Sequence, residues 1–260
     1  MKRCQGGYNP AMPTLLVTGF GPFPGAPYNP TVKLVRALAR LRRPALADTT
    51  IVTHIFRTSY AAVDRDLPAL MAEHKPDAIL MFGLHGRAKA IRIETRARNA
   101  LALLPDATGK VARRGVIAAD APSAKRMPMP ARRLLAAARE AQVPAVLSRD
   151  AGRYLCNYLC WRSVESGVKL AAFVHVPKVA RFARPLGPQG AFFSVRPRES
   201  GGPDRKVLGS RFLLKDGASR LVRGDKRRMM VPQRRRFTAA DLLRAGEKVL
   251  VALHAAVNRT

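Results

Sequence analysis

Short apolar runs alternate along this chain with longer segments of helical periodicity, and this order constrains the fold more than any other feature. Residues 14–18 (TLLVT) and 78–82 (AILMF) are almost entirely apolar or β-branched, which is typical of strands buried on both faces. Between such runs, apolar residues recur every three or four positions, as they do along a helix with one buried side. This alternation predicts an α/β fold: a three-layer sandwich with a mostly parallel, twisted sheet and helices on both faces.

The boundaries of the predicted strands and helices lie where the periodic spacing of apolar residues begins and ends. Residues 90–94 alternate in polarity, and the pattern then loosens to about residue 126. Thr238 is a suitable N-cap for the last helix. Strands are predicted at 14–18, 50–56, 78–82, 145–147 and 169–174, and helices at 59–73, 131–141 and 237–258, from Pro30 onward and around Cys156.

A basic stretch at about 185–236 interrupts this order. It holds seven glycines and five prolines, shows no sustained period, and carries 14 Lys and Arg against 4 Asp and Glu. A stretch of this length without periodicity inside a compact domain is best interpreted as an insertion or a flexible loop. We therefore predict one domain over residues 13–260, interrupted at about 185–236 and preceded by an N-terminal extension of residues 1–12.

The net charge of +30 raises the question of a polyanionic partner. Much of the excess lies in the basic stretch, and the rest is spread over predicted helix faces with little of the aromatic interleaving that stacks bases. Nucleic-acid binding is therefore disfavoured. The three cysteines are not spaced as in a disulfide framework, which favours a reducing compartment. The sequence also has no long apolar segment and no N-terminus of the signal-peptide type. These features predict a cytoplasmic protein without a membrane partner.

Cys156 is the most promising reactive residue in the chain. In the segment SRDAGRYLCNYLCW, the first part reads as a turn, and apolar residues then recur with helical spacing. Cys156 thus falls in the first turn of a helix, where unpaired backbone N–H groups and the helix dipole stabilise a thiolate. The alternative is a small buried apolar residue, which is what most cysteines in helices are.

A thiolate nucleophile needs a base, and the base needs a group that orients it. Among the five histidines, His175 ends a predicted strand, and sites in open α/β sheets form at the carboxyl ends of strands. His54 and His85 are open alternatives, whereas His74 and His254 are predicted to be solvated. Glu94, at the end of the sequence AIRIE, is the best candidate for the orienting carboxylate, although it is also a simple partner for nearby arginines.

Two other kinds of site are disfavoured. The glycines of TGFGPFPG follow a strand, but their spacing and the two prolines do not fit a dinucleotide-binding turn. Cys156, Cys160 and His175 lack a fourth ligand for structural zinc. No metal site is predicted.

Taken together, these segments resemble the pyroglutamyl peptidase I family of cysteine peptidases, also called pyrrolidone carboxyl peptidases. LLVTGFGPFPGAPYNPT is similar to the family's TGFxPFxG motif followed by NP, and AGRYLCN is similar to its nucleophile segment. FVHVP resembles its histidine strand, and GLHGRAKAIRIETRARN resembles the loop and strand that supply its glutamate. The resemblance covers residues 15–183 and resumes from 237 to about 257.

The resemblance implies an enzyme that removes N-terminal pyroglutamate from peptides, works without a cofactor and forms a homo-oligomer. Cys156 would attack the pyroglutamyl carbonyl, His175 would act as base and then acid, and Glu94 would orient the imidazolium. An apolar slot for the flat lactam ring would be formed by Phe20, Phe23, Tyr154 and Leu155.

Three positions depart from the family's pattern, and one of them is Lys178, which follows the His-Val-Pro segment where an aromatic residue is frequent. The family usually has Gly-Gln-Ala-Gly-Gly-Arg ahead of the glutamate, whereas this chain reads GLHGR, with Leu84 in place of a polar side chain. An arginine is frequent shortly before the proline matched by Pro105, and here that place is taken by Leu103. The alternative hypothesis is a diverged, non-catalytic homologue whose basic insertion binds nucleic acid or another polyanion.

Overall fold

Strands and helices alternate through the part of the chain that the computed structural model describes, residues 12–23, 25–179 and 236–259. The predicted strands and helices are all present, with bounds that agree to within about two residues. The strands are β1 (Thr14–Phe20), β2 (Thr50–Phe56), β3 (Ala78–Leu84), β4 (Ile91–Glu94), β5 (Arg96–Arg98), β6 (Ala124–Arg126), β7 (Ala145–Ser148) and β8 (Leu170–Val176). The helices are α1 (Pro30–Leu38), α2 (Tyr60–His74), α3 (Ala131–Glu140), α4 (Leu155–Glu165) and α5 (Ala239–Val257), with a 3₁₀ turn at Pro44–Leu46.

Six strands form the main sheet, in the order β2-β1-β3-β8-β4-β7. Neighbouring strands run parallel except for β4 and β8, which are antiparallel. The prediction of a mostly parallel sheet is therefore confirmed. The antiparallel pair matters for the site because it places the end of β4 beside β8.

Helices cover both faces of this sheet, as predicted. Successive side chains of a strand point to opposite faces, so Leu15 and Val17 pack into one core while Leu16 packs into the other. The first core lies under α1, α3 and α5, and the second lies under α2 and α4. Burial on both faces explains why the central strands are apolar without interruption.

Side-chain caps define where several helices begin. The Asn29 side chain accepts a hydrogen bond from Thr31 N at the start of α1, and Ser59 Oγ accepts one from Ala62 N at the start of α2. Thr238 and Asp241 form a capping box at the start of α5, which confirms the predicted N-cap. These caps satisfy N–H groups that the helices themselves leave unpaired.

A second, two-stranded sheet was not apparent from the sequence. β5 and β6 pair antiparallel within the stretch where the periodicity loosens. Each strand has only three residues, which is too short for alternating polarity to mark it.

The predicted insertion at about 185–236 lies outside the described residues except for Arg236, and so does the N-terminal extension except for Met12. The predicted domain organisation therefore stays a prediction. Within the described ranges, no helix has the length and hydrophobicity needed to cross a membrane.

Candidate active site

Cys156 is the second residue of α4, in the first turn as predicted. Tyr154 precedes the helix, and the first helical hydrogen bond runs from Tyr158 N to Tyr154 O over 3.0 Å. The N-terminus of α4 has no side-chain cap among the described residues. The N–H groups of its first turn therefore remain available around the thiol, at the positive end of the helix dipole.

His175 and Glu94 meet because β8 and β4 run antiparallel. His175 Nδ1 lies 2.8 Å from Glu94 Oε1, and the two side chains are 3% and 0% exposed. This hydrogen bond orients the imidazole and leaves Nε2 free to face another group. His175 lies near the carboxyl end of β8, where the sequence places it.

The Cys156 thiol completes this group as a neighbour of the His175 imidazole. Burial alone would lower the pKa of His175, but the charge of Cys156 and a hydrogen bond with it, together with Glu94, raise that pKa to about 9. His175 is therefore positively charged at neutral pH. An imidazolium beside a thiol favours the thiolate, which is the nucleophilic form. The three residues predicted from the sequence thus lie together.

Arg92 is a site residue that sequence reasoning did not single out. Its Nε lies 3.3 Å from Glu94 Oε1, and its Nη2 donates to Ser148 Oγ over 2.7 Å. Glu94 Oε1 thus contacts both His175 and Arg92. Glu94 Oε2 is buried and has no partner among the described residues. The signal in the sequence was the two-residue spacing of Arg92 and Glu94, which puts both on the same face of β4.

Two aromatic rings pack edge-on against the imidazole. Phe173 lies 5.0 Å from His175 between ring centroids, and His85 lies 5.4 Å away. Burial lowers the pKa of His85, and the positive charges of His175 and Arg92 lower it further. His85 therefore stays neutral beside the charged His175. It was one of the open histidine alternatives, and it lies next to the site without replacing His175.

The remaining histidines lie in other contacts. His54 pairs with Asp66, with 3.1 Å between His54 Nε2 and Asp66 Oδ2. His254 is half-buried, and its Nε2 lies 2.9 Å from Thr49 Oγ1. His74 and His254 are both only partly exposed, so the prediction that they are solvated holds only in part. Partial burial of the His254 ring lowers its pKa.

Asn157 follows the cysteine and was also missed. It is fully buried, and its side chain holds the backbone of β5. Asn157 Oδ1 accepts from Arg98 N over 2.8 Å, and Asn157 Nδ2 donates to Arg98 O over 2.8 Å and to Ala100 O over 3.0 Å. The helix that carries Cys156 is thereby fixed to the chain that follows Glu94.

The four residues predicted to form an apolar slot differ in how much surface they offer. Phe20 and Leu155 are buried in the second core. Phe23 and Tyr154 are partly exposed, and Tyr154 Oη donates to the Pro105 carbonyl over 2.9 Å. Their part in holding a lactam ring stays a prediction.

Cys160, one turn after Cys156, differs sharply from it. It is completely buried, and this burial raises its thiol pKa well above the ordinary value.

Within the described ranges, no cluster of three or more His, Cys, Asp or Glu side chains is arranged to hold a metal ion. Leu84 ends β3 and is partly buried, whereas Leu103 is exposed on a loop.

Comparison of the amino-acid sequence with known proteins identifies the family of the chain. The family profile described as pyroglutamyl peptidase matches residues 13–184, about two thirds of the chain. The chain belongs to the pyroglutamyl peptidase family. The match includes Glu94, Cys156 and His175 and ends before the final helix.

Individual members of the pyroglutamyl peptidase family agree with this assignment. The pyrrolidone-carboxylate peptidase of Pyrococcus furiosus is 32% identical over 171 residues, which cover 64% of this chain and 81% of that relative. The enzyme of the same name from Deinococcus radiodurans is 32% identical, with coverage of 66% and 81%. The solved structure of the pyrrolidone carboxyl peptidase from Thermococcus litoralis has a TM-score of 0.60 at 29% identity, with coverage of 65% and 78%.

Proposed function

We propose that this chain is a cysteine exopeptidase that removes N-terminal pyroglutamate from peptides through Cys156, His175 and Glu94. One observation carries the proposal: a buried hydrogen bond joins Glu94 to His175, and the same imidazole neighbours the Cys156 thiol at the start of α4. A nucleophile beside a base that is itself oriented by a third group is the arrangement that acyl transfer requires. Membership of the pyroglutamyl peptidase family supports pyroglutamyl peptides as the substrate class.

In the proposed reaction, the Cys156 thiolate attacks the carbonyl carbon of the pyroglutamyl residue. The oxyanion that forms is stabilised by free N–H groups of the first turn of α4. His175 Nε2–H gives its proton to the departing amine as the C–N bond breaks, and a thioester with Cys156 remains. Water, deprotonated by His175, then hydrolyses the thioester and releases pyroglutamate. Glu94 holds the imidazolium through both steps, and no cofactor enters.

For the lactam ring we propose the slot of Phe20, Phe23, Tyr154 and Leu155. The ring is neutral and flat, so selectivity has to come from shape, aromatic contact and a few hydrogen bonds. Phe23 and Tyr154 have the exposed surface needed for direct contact, and the buried Phe20 and Leu155 back them from the second core.

The test is release of pyroglutamate from a pyroglutamyl-arylamide by the purified chain. We expect turnover that is abolished in Cys156→Ala and in His175→Ala and is lost after treatment with iodoacetamide. Cys160→Ala is the matched control, because the buried Cys160 is shielded from the reagent. This variant should remain active and remain sensitive to alkylation. If both Cys156→Ala and His175→Ala change only the thermal stability, the proposed catalytic roles are wrong.

We propose that the enzyme is a homo-oligomer, as the family resemblance implies. We also propose that it acts in the cytoplasm, as the cysteine content suggests. Light scattering on the eluting peak of a size-exclusion column measures the molar mass, which for a monomer is 28.4 kDa. A mass equal to one chain would contradict the oligomer.

A further inference from the structure

Arg92 and His175 lie directly opposite each other where β4 pairs with β8. Opposite residues in an antiparallel pair have Cβ atoms about 4.5–5.5 Å apart, and two like charges placed in this way repel each other. Arg92 carries a permanent charge, and the imidazole of His175 is charged at neutral pH, as described above. The pair therefore needs a compensating negative group, which Glu94 supplies.

Glu94 contacts both cations through a single oxygen. It stands two residues after Arg92, on the same face of β4, and is 0% exposed. Its Oε1 lies 2.8 Å from His175 Nδ1 and 3.3 Å from Arg92 Nε, whereas Oε2 has no partner among the described residues. Because both cations draw on the charge of one oxygen, the contact with Arg92 weakens the hold of Glu94 on the imidazolium.

The guanidinium of Arg92 is fixed from its other side by the segment that leads to α4. Its Nη2 donates to Ser148 Oγ at the end of β7 over 2.7 Å and to the Asp150 carbonyl over 3.3 Å. A planar guanidinium has its donors in a rigid fork, so contacts of this kind hold it in one orientation. Nε therefore stays directed at Glu94, although the Arg92 side chain is 30% exposed.

Four groups that carry or can take a charge lie around the imidazole of His175. Burial alone would lower the pKa of His175, but Cys156 from α4 and Glu94 from β4 raise it to about 9. His85, from the loop after β3, is neutral, because burial and the charges of His175 and Arg92 lower its pKa. Arg92 is the positive member of this set, so its charge opposes protonation of His175.

A limit on protonation is useful in the proposed reaction. The imidazole has to give a proton to the departing amine and later take one from water, and a group does both best when its pKa is near the working pH. A buried carboxylate bonded to His175 alone would hold the imidazolium more tightly and move its pKa further above neutrality. Sharing that carboxylate with a second cation makes the proton easier to release.

On these grounds, and resting on the function proposed above, we propose that Arg92 is a positioning residue that shares Glu94 with His175 and limits how tightly the imidazole holds its proton. Arg92 acts through Glu94 and needs no contact with the substrate. Its permanent charge produces the effect, and the hydrogen bonds to Ser148 and Asp150 keep that charge in place.

The test measures the titration midpoint of His175 by NMR in Arg92→Gln, which removes the charge and keeps a hydrogen-bond donor. We expect the midpoint to rise by about one pH unit, the low end of the effect of a charge about 4–6 Å away, because Arg92 is partly exposed. The basic limb of the kcat/KM profile for a pyroglutamyl-arylamide, where the imidazolium is lost, should move up by the same amount. A residue that only supported the fold would not raise either value.

Two further variants separate the charge of Arg92 from its shape. Arg92→Lys keeps the charge without the rigid fork and should raise the midpoint by at most about half as much. Arg92→Met is neutral and fills a similar space, so it should give the full rise, and it replaces Arg92→Gln if glutamine impairs folding.

Arg36→Gln is the matched control, because it also removes one positive charge. Arg36 is exposed on α1, which covers the first core, whereas His175 shares a strand face with Phe173 of the second core. This variant should leave the midpoint of His175 unchanged. An unchanged or lower midpoint in the two neutral Arg92 variants, or an equally large rise in Arg92→Lys or Arg36→Gln, would overturn the role of Arg92.

The titration does not depend on turnover, so it decides the effect of Arg92 on His175 even in an inactive protein. If the unchanged protein cleaves no pyroglutamyl-arylamide, the proposed function itself fails, whatever the midpoints are.

Discussion

Gly83 on β3 lies so close to Cys156 that a Cβ atom at position 83 would come within 2.8 Å of Sγ and 2.7 Å of the Phe173 ring. Real Cβ contacts are not this short, so one of the neighbours would have to move. Phe173 is fully buried in the second core, whereas Cys156 is only partly buried. The thiol is therefore the group that would be displaced.

Gly83→Ala should lower kcat/KM of the proposed reaction by about 100-fold, since a displacement of about 1 Å at a nucleophile has effects of that size. Rates with a pyroglutamyl-arylamide measure it. Gly115→Ala is the control, because a Cβ atom there meets open space. A Gly83→Ala protein with full activity would show that the thiol tolerates the shift.

Glu94→Gln should reduce kcat by a factor of about 10⁴, the loss seen when the orienting carboxylate of a triad becomes an amide. Glutamine has no negative charge to hold the His175 imidazolium, and Arg92 loses its ion pair with the carboxylate while it keeps its hydrogen bond to Ser148. Single-turnover and steady-state rates measure the loss. Glu247→Gln, which breaks an ion pair with the exposed Arg43, should leave the rate unchanged. Equal rates in the two variants would contradict the role of Glu94.

The position of Cys156 and the order of strands and helices could be predicted from the sequence because both depend on local periodicity. The first turn of α4 follows from apolar spacing, and His175 follows from the end of an apolar run. The contact between Glu94 and His175 could not be predicted in this way. It depends on β4 running antiparallel to β8, whereas the alternation of elements favours parallel neighbours.

Contacts between distant segments explain the other residues that were missed. Asn157 reads as an ordinary polar residue in a helix, and its role becomes visible only when β5 lies against it. β5 itself is too short to be recognised, and it is held by that side chain as well as by β6. The sequence therefore shows which residues are chemically suitable, and the packing shows which of them are brought together.

The pKa of His175 should fall when Cys156 or Glu94 loses its negative charge. In the unchanged protein that pKa is raised to about 9, with both residues favouring the charged imidazole. In Cys156→Ala the burial of the ring still opposes protonation while one favourable neighbour is gone, so the midpoint should move down. Titration of the imidazole nitrogens by NMR measures the midpoint for each histidine.

His254 is an internal control for that titration. Burial lowers its pKa, and its partner Thr49 lies on another part of the fold. Its midpoint should be the same in the unchanged protein and in Cys156→Ala. An unmoved His175 midpoint in Cys156→Ala would show that the thiol does not influence the imidazole.

Asn157→Ala should lower the free energy of unfolding by about 3 kcal/mol. The change leaves Arg98 N, Arg98 O and Ala100 O without the partners that the side chain provides, and unpaired buried backbone groups are costly. Urea denaturation measures the loss, and faster hydrogen exchange at the Arg98 amide would locate it. Asn258→Ala, at an exposed position after α5, should change the stability by less than about 0.5 kcal/mol. If the two variants are equally stable, the Asn157 contacts do not hold β5 against α4.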